Sequence, residues 1–480
     1  MPKFNRRDLL KLASLALPAA ALYKPVSRLV RAQSASMPNI ILLIFDTLSA
    51  SNMSTYGYQR RTTPNFGRFA ARATVYHSHN SAGNYTVPGT ASLLTGLYPW
   101  THRALNHAGM VRRDMVDRNV FALLGADYYR TGFAQTGWAT FILTQFKKDL
   151  DNFLSPEAFS MVSQVFGDAF PDTNMAYRAL DDFMFKMERS PSSLVLGAIE
   201  RTLLYRDVEK ISKKGYPRGI PVTGAYPAYF KLSDVFDGLI RMFVELPSPS
   251  FSYIHLFPPH APYSPTRDFY GIFRNDNYFP PSKPIHKLSG GDDERKVYVG
   301  RMSYDEYVAS VDNEFGVFLN SLESSGVLDN SYLIVTSDHG ELMERGDKGH
   351  DTPLLYDPII HSPLMISVPG QRERRDIYAP TNSVDLLPTI LRLAGKPIPD
   401  WVEGTILPGF GGEEDYERAT FSVEAKINPA FAPLNVATLA MRQGPYKLIN
   451  FRGYGPNEWF ELYNHENDIE EMNDLYQKET

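Results

Sequence analysis

The feature that most constrains the fold is a continuous apolar run at 39–45, Asn-Ile-Ile-Leu-Leu-Ile-Phe. Such a run, rich in β-branched residues and without polar alternation, is typical of a strand buried on both faces of a parallel sheet. Asp46 and Thr47 end it. Ligands of open α/β sheets bind beyond the carboxyl ends of the strands, so Asp46 is predicted to lie where chemistry takes place. A role in capping the next helix is the alternative.

A second strand signal, at 332–336, is followed directly by Asp338, His339 and Gly340. Asp338 and His339 offer adjacent oxygen and nitrogen ligands for a metal, and Gly340 lets the backbone turn sharply away. By itself, Asp-His-Gly is equally typical of a turn. A second acidic strand end in the same chain as Asp46 nevertheless favours a metal site.

The stretch 84–96, Asn-Tyr-Thr-Val-Pro-Gly-Thr-Ala-Ser-Leu-Leu-Thr-Gly, begins with polar residues and continues as a short apolar helix. It places the hydroxyl of Thr86 where the amides of a helix begin, which is a favourable position for an oxyanion. The alternative is that Thr86 only caps the helix.

Together these motifs resemble the sulfatase family of the alkaline phosphatase superfamily. In the family signature, Thr86 stands at the nucleophile position, Pro88 and the run 92–96 match, and the run 337–341, Ser-Asp-His-Gly-Glu, is a second match. The resemblance implies an α/β fold of the alkaline phosphatase/sulfatase type. That fold has a large mixed sheet flanked by helices and a small C-terminal antiparallel subdomain.

The chain departs from the family pattern at three places. Thr47 replaces the second member of an Asp-Asp pair, Thr90 replaces an Arg, and the segment 135–139 lacks the family's Lys-any-His. The chain also has no cysteine, which excludes disulfides and removes the Cys precursor of formylglycine. We therefore expect ester hydrolysis through an unmodified Thr86.

The resemblance supplies further site residues. The segment 258–263, Pro-Pro-His-Ala-Pro-Tyr, resembles a family loop whose His donates to the oxyanion or the leaving group. This favours His260 over His255, which strand alternation predicts to be in the core. Lys348 and His350 fall in a segment that resembles the one bringing a Lys or His to the substrate, and either residue fits that role.

The resemblance also implies one divalent metal ion, held by Asp46, Asp338, His339 and the hydroxyl of Thr86. One imidazole among oxygen ligands favours zinc or manganese, with calcium as the alternative.

Outside the motifs, the pattern predicts three parts. Residues 1–36 resemble a twin-arginine signal peptide, with Asn-Arg-Arg-Asp-Leu-Leu-Lys at 5–11 and an apolar run too short to span a bilayer. An ordinary amphipathic helix is the alternative. A catalytic domain is expected over 38–415, with a helical insertion at about 145–226, and a C-terminal subdomain over 416–480, with strands at 441–449 and 461–464. The signal implies bacterial export to the periplasm or the exterior.

The predicted function is hydrolysis of sulfate, phosphate or phosphonate esters, on a small-molecule, glycan or lipid substrate. A net charge of −5 without a basic stripe argues against a nucleic-acid partner, and no stable membrane span is predicted. The pattern favours no particular oligomeric state. One alternative is a phosphoethanolamine-type transferase, which resembles this chain in pairing a Thr with Asp-His ligands. The other is a catalytically degenerate binding protein on the same scaffold.

Overall fold

The computed structural model describes residues 37–161, 194–223 and 228–476. The predicted signal peptide at 1–36 lies outside the described residues, as does much of the predicted insertion. Among the described residues, no helix combines the length and apolarity needed to cross a membrane.

The described chain alternates strands and helices. The strands are β1 (Asn39–Phe45), β2 (Thr74–Tyr76), β3 (His79–Asn80), β4 (Tyr129–Ala134), β5 (Asn152–Phe153), β6 (Ser250–Leu256), β7 (Ser331–Thr336), β8 (Leu342–Glu344), β9 (Asp347–Gly349), β10 (Leu364–Ser367), β11 (Arg375–Ile377), β12 (Thr381–Asn382), β13 (Thr420–Glu424), β14 (Ala437–Gln443), β15 (Tyr446–Arg452) and β16 (Trp459–Asn464). The helices are α1 (Pro64–Ala70), α2 (Thr86–Thr95), α3 (Pro99–His102), α4 (Val120–Leu124), α5 (Gly137–Gln145), α6 (Leu194–Gly215), α7 (Leu232–Glu245), α8 (Glu294–Ser324), α9 (Asp357–Ile360) and α10 (Leu386–Leu393).

In the described residues, eight strands form one large mixed sheet in the order β11-β2-β10-β7-β1-β6-β4-β5. Only β10 runs against its neighbours, and the pairs from β7 to β5 are all parallel. The predicted α/β class with a large mixed sheet is therefore confirmed.

The predicted buried strand is β1, which has the bounds expected from its apolar run. Its even-numbered residues pack on one face of the sheet in a core shared with α2, α4, α5 and α10. Its odd-numbered residues pack on the other face in a core shared with α1, α7 and α8. Residues 40–45 are at most 2% exposed, and burial of each such side chain is worth about 1.5–3 kcal/mol, so this strand anchors both layers.

Strand β1 also sets the position of the site, because β6 and β7 flank it in parallel. Ile44 lies opposite His255 of β6 and Thr336 of β7. All three strands therefore end at one edge of the sheet, and the residues that follow β1 and β7 emerge side by side.

A smaller antiparallel sheet, β13-β14-β15-β16, follows the large one in the chain and confirms the predicted C-terminal subdomain sheet. The prediction of a single strand over 441–449 was wrong. Gly444 and Pro445 form the turn of a hairpin between β14 and β15, and Gly444 has a φ of +53°. A left-handed residue at this point reverses the chain, which glycine allows without steric cost.

Within the predicted insertion, the structure describes residues 145–161 and 194–223. Asn152–Phe153 forms the edge strand β5 of the large sheet, and α6 is a helix of 22 residues. The interval 162–193 between them lies outside the described residues.

Candidate metal and catalytic site

Asp46 follows β1 and is fully buried. Its backbone amide donates to the carbonyl oxygen of Leu256 at 3.0 Å, which fixes the strand end against β6. Neither carboxylate oxygen of Asp46 has a hydrogen-bond partner among the described residues. A buried carboxylate without a partner is strongly disfavoured, so this side chain requires a proton or a cation.

Asp338 follows β7 and is oriented by two backbone amides. Its Oδ1 accepts hydrogen bonds from the amides of His339 at 3.1 Å and Thr47 at 3.4 Å. Its Oδ2 has no hydrogen-bond partner. One oxygen is thus held in place while the other remains free for a ligand.

His339 is oriented in a similar way. Its Nδ1 lies 2.9 Å from the carbonyl oxygen of Gly340, to which it donates, so Nε2 is left as the free ring nitrogen. The turn after it is tight, because a Cβ at Gly340 would lie 2.2 Å from the carbonyl oxygen of Pro358. Burial, helped by nearby His350, lowers the pKa of His339 well below its usual value. The ring is therefore neutral, which is the form that binds metals.

These three side chains converge. His339 Nε2 lies 3.5 Å from Asp46 Oδ1 and 3.5 Å from Asp338 Oδ2. Burial raises the pKa of both carboxyls, and the charge of Asp46 raises that of Asp338 further. Buried, mutually repelling ligand atoms without protein partners fit a divalent cation, so the residues present fit the metal that the sequence predicts.

Sequence reasoning missed His255 as a neighbour of these ligands. It is fully buried, as predicted, but its Nε2 points at the same place, 3.6 Å from Asp46 Oδ2 and 3.6 Å from Asp338 Oδ2. The missing signal was the register of β6 on β1, which puts His255 opposite Ile44. The only local indication in the sequence was that His255 lies two residues before the loop 257–260, which contains His260.

Thr86 is the first residue of α2 and is 2% exposed. The N-cap of this helix is Tyr85, so the alternative in which Thr86 caps the helix is wrong. The first turn of α2 packs directly against Asp338, because a Cβ at Gly89 would lie 2.5 Å from the Asp338 carbonyl oxygen. The helix that begins at Thr86 is therefore seated on a residue of the candidate metal site.

The two predicted loop histidines also lie close to the site. The ring centroid of His350 lies 4.6 Å from that of His339 and 5.0 Å from that of His260. His350 Nδ1 is 3.4 Å from both carboxylate oxygens of the buried Glu341. Burial opposes protonation of His350, but Glu341, Asp46 and Asp338 outweigh it and raise the pKa of its imidazole. Of these, Glu341 was not singled out from the sequence.

Lys348 lies farther out, on β9, and is exposed. It lines a cavity of about 690 Å³ together with His350, Glu341 and Tyr263. Arg295 and Lys296, near the start of α8, line the same cavity. The cavity therefore adjoins His350 and carries both cationic and acidic groups, since Asp293 and Asp351 line it as well.

The positions at which the chain departs from the family pattern are buried. Thr90 is fully buried in α2, and Gln135 accepts a hydrogen bond at its Oε1 from the amide of Phe257 at 3.1 Å. Gln135 thus supports the loop that leads to His260.

A second group with metal-ligand chemistry, Asp357, His465 and Glu471, lies at the C-terminal sheet. Here the cation is Lys447, whose Nζ lies 2.9 Å from Asp357 Oδ1 and 2.6 Å from Glu471 Oε1. His465 lies 3.3 Å from both carboxylates. This group is an ion-pair network that joins β15 and the chain after β16 to α9.

Two family models match the chain. Residues 38–396 match the family model described as Sulfatase, and residues 346–480 match the one described as N-sulphoglucosamine sulphohydrolase, C-terminal. The chain is 22% identical to the ulvan-active sulfatase of Formosa agariphila over 436 residues, which covers 88% of this chain and 75% of that protein. It is 22% identical to the choline-sulfatase of Rhizobium meliloti over 451 residues, covering 88% and 80% of the two chains.

Two solved structures share the fold. One is BT4656 in complex with its substrate D-glucosamine-2-N,6-O-disulfate, with a TM-score of 0.65, 18% identity and coverage of 92% and 94%. The other is the phosphonate monoester hydrolase of Agrobacterium radiobacter, with a TM-score of 0.63, 19% identity and coverage of 92% of each chain. At these identities the likeness concerns the fold.

Proposed function

The chain belongs to the sulfatase family of ester hydrolases, and from this premise we propose that it cleaves sulfate, phosphate or phosphonate esters with Thr86 as the nucleophile. The observation that carries the proposal is the convergence of buried, partnerless oxygens of Asp46 and Asp338 with His339 Nε2, beside the helix that Thr86 begins.

We assign the cation site to Asp46, Asp338 and His339, with the Thr86 hydroxyl as a further ligand. A mixture of imidazole and carboxylate favours zinc or manganese over calcium. When bound, such an ion would favour the alkoxide form of a neighbouring hydroxyl and offset the negative charge of the ester.

Thr86 supplies the attacking oxygen. Its Oγ1 loses its proton to solvent water and forms a bond to the sulfur or phosphorus of the ester, while the bond from that atom to the leaving oxygen breaks. Water then cleaves the Thr86 ester, which releases sulfate, phosphate or phosphonate and restores the hydroxyl. The start of α2 favours this step, because helix amides stabilise negative charge.

His260 and His350 act on the substrate oxygens. His260 donates a proton to the departing oxygen, and protonated His350, held by Glu341, binds the equatorial oxygens. The position of His350 against His339 supports this role for it over Lys348, which is exposed. Lys348, on the wall of the cavity, attracts the anionic ester.

The relatives suggest the class of the substrate. The matched proteins include sulfatases named for ulvan and choline and a phosphonate monoester hydrolase. We propose a small-molecule, glycan or lipid ester as substrate. Because Thr86 replaces the formylglycine precursor, phosphate and phosphonate esters are included on equal terms with sulfate esters. The signal-like segment at 1–36 supports an exported enzyme.

The test is metal content together with turnover of matched nitrophenyl sulfate, phosphate and phosphonate esters. We expect stoichiometric metal and Thr86-dependent release of nitrophenol from at least one ester. Thr86→Ala should abolish turnover, whereas Thr86→Ser keeps the hydroxyl and should retain part of it. Mass spectrometry of a rapidly quenched reaction should find the added group on the peptide that contains Thr86.

Thr95→Ala is the matched control at the other end of α2. Thr95 Oγ1 donates only to the carbonyl oxygen of Ala91 within the helix, at 2.7 Å. Full activity of Thr86→Ala would refute the nucleophile assignment. Bound metal without release from any ester would point instead to a transferase that needs its acceptor.

A further inference from the structure

His255 presents a free ring nitrogen in a fully buried position. In the part of the chain that the structure describes, its Nε2 has no hydrogen-bond partner, and it lies 3.6 Å from both Asp46 Oδ2 and Asp338 Oδ2. Buried polar nitrogens of native proteins nearly always have a partner, so this atom requires one.

Tyr253 holds the other ring nitrogen. Its hydroxyl lies 2.9 Å from His255 Nδ1, and both side chains are fully buried on the same face of β6. When Nδ1 carries the ring proton, it donates a hydrogen bond to the Tyr253 oxygen. Nε2 then keeps its lone pair and faces the two carboxylates. A histidine that binds a metal through one nitrogen is typically held in this way through the other.

Both imidazoles face the same carboxylate oxygen. His255 Nε2 lies 3.6 Å from Asp46 Oδ2 and from Asp338 Oδ2, and His339 Nε2 lies 3.5 Å from Asp46 Oδ1 and from the same Asp338 Oδ2. The compact set of ligand atoms is that of Asp46, Asp338 and His339, and His255 adjoins it through the two carboxylates.

We propose that His255 is a metal ligand through Nε2 and that Tyr253 is its positioning residue. This inference rests on the proposed metal site and extends it from one imidazole to two. Two nitrogen and two carboxylate ligands select a transition ion of the zinc or manganese class and disfavour calcium, which prefers oxygen ligands. The opposing possibility is that His255 is a charged imidazolium that pairs with the carboxylates in place of a metal.

The direct test is spectroscopy of the bound metal. X-ray absorption of the zinc-loaded wild-type protein should show two imidazole ligands, and one imidazole would overturn the inference. The wild-type protein loaded with cobalt, a spectroscopic substitute for zinc, should show visible absorption bands that His255→Gln changes.

Affinity measured by competition with a chelator provides the second test. We expect His255→Gln to weaken zinc binding by at least about tenfold. Tyr253→Phe should weaken it by about 10–100-fold, as for other residues that orient metal ligands. Calcium affinity should change less than zinc affinity in both variants.

His79→Gln is the matched control. His79 is also fully buried, and its Nδ1 lies 3.0 Å from the hydroxyl of Thr381. Among the described residues its Nε2 has no partner, and no carboxylate pairs with it there. The variant His79→Gln should lower the stability of the protein without changing zinc affinity or the cobalt spectrum. Unchanged zinc affinity in His255→Gln, with normal binding by the wild type, would overturn this inference alone. Failure of the wild type to bind any divalent ion would overturn the metal site itself.

Discussion

Asn84 Nδ2 donates a hydrogen bond to the carbonyl oxygen of Thr352 at 2.8 Å. The same nitrogen lies 3.3 Å from the carbonyl oxygen of His350. Asn84 is two residues before Thr86, so one side-chain amide joins the segment of the nucleophile to the segment of His350. The two segments are more than 260 residues apart in the chain.

We expect Asn84→Asp to lower kcat/KM by at least about tenfold, equivalent to about 1.4 kcal/mol of transition-state stabilisation. The substitution keeps the shape of the side chain but replaces the donor with an acceptor that faces two carbonyl oxygens. Steady-state kinetics measures the effect. Asn106→Asp is the control, since Asn106 Nδ2 likewise joins two carbonyl oxygens, those of Lys426 and Asn428. Equal losses in both variants would contradict a specific role in the site.

We expect Gly89→Ala to destabilise the protein by about 1–3 kcal/mol and to lower metal affinity. A Cβ at this position would lie 2.5 Å from the Asp338 carbonyl oxygen, so α2 or the Asp338 strand end must shift. Denaturant unfolding and metal titration check the two effects. Gly215→Ala, at the end of α6, is the control because nothing lies within 4 Å of its Cβ position. Wild-type metal affinity in Gly89→Ala would refute the close packing of α2 on the site.

The C-terminal ion-pair network predicts a pH-dependent stability. Burial opposes protonation of His465, but Asp357 and Glu471 outweigh it and raise its pKa to about 9. A folded-state pKa above the unfolded value of about 6.5 stabilises the protein fully below about pH 6.5, and this stabilisation is lost as pH rises through about 9. The full contribution of His465 to the free energy of unfolding is about 3 kcal/mol.

The measurement is the free energy of unfolding at several pH values across this window, for the wild type and His465→Gln. We expect a decline in the wild type and a flatter profile in the variant. If the variant keeps the wild-type slope, groups other than His465 are responsible.

Removal of the divalent ion should lower the unfolding temperature. A ligand present at about 100 times its Kd stabilises the folded state by about 2.7 kcal/mol, and chelation withdraws that contribution. Adding zinc should restore it. Asp46→Asn should not respond to the chelator, whereas Asp376→Asn, a partly exposed carboxylate paired with Arg374, should respond like the wild type. A chelator response in Asp46→Asn would contradict the ligand assignment.

Local patterns in the sequence were sufficient for the elements that hold the site. The apolar run at 39–45 predicted β1 with its observed bounds, and the family motifs predicted Asp46, Asp338 and His339, which converge. The C-terminal hairpin was predicted as one strand, because its flanks carry strand-forming residues and the turn depends on the backbone of Gly444.

Local sequence patterns predicted which strands are buried and which polar residues follow them, because burial and chain direction are recorded in neighbouring residues. Two contacts of the site depend instead on long-range packing: His255 faces Asp46, and His350, rather than Lys348, lies against His339. The first depends on the register between β1 and β6, which are about 200 residues apart in the chain. Distances of 3.5–3.6 Å between such side chains follow from the packing of the whole sheet, which no local pattern encodes.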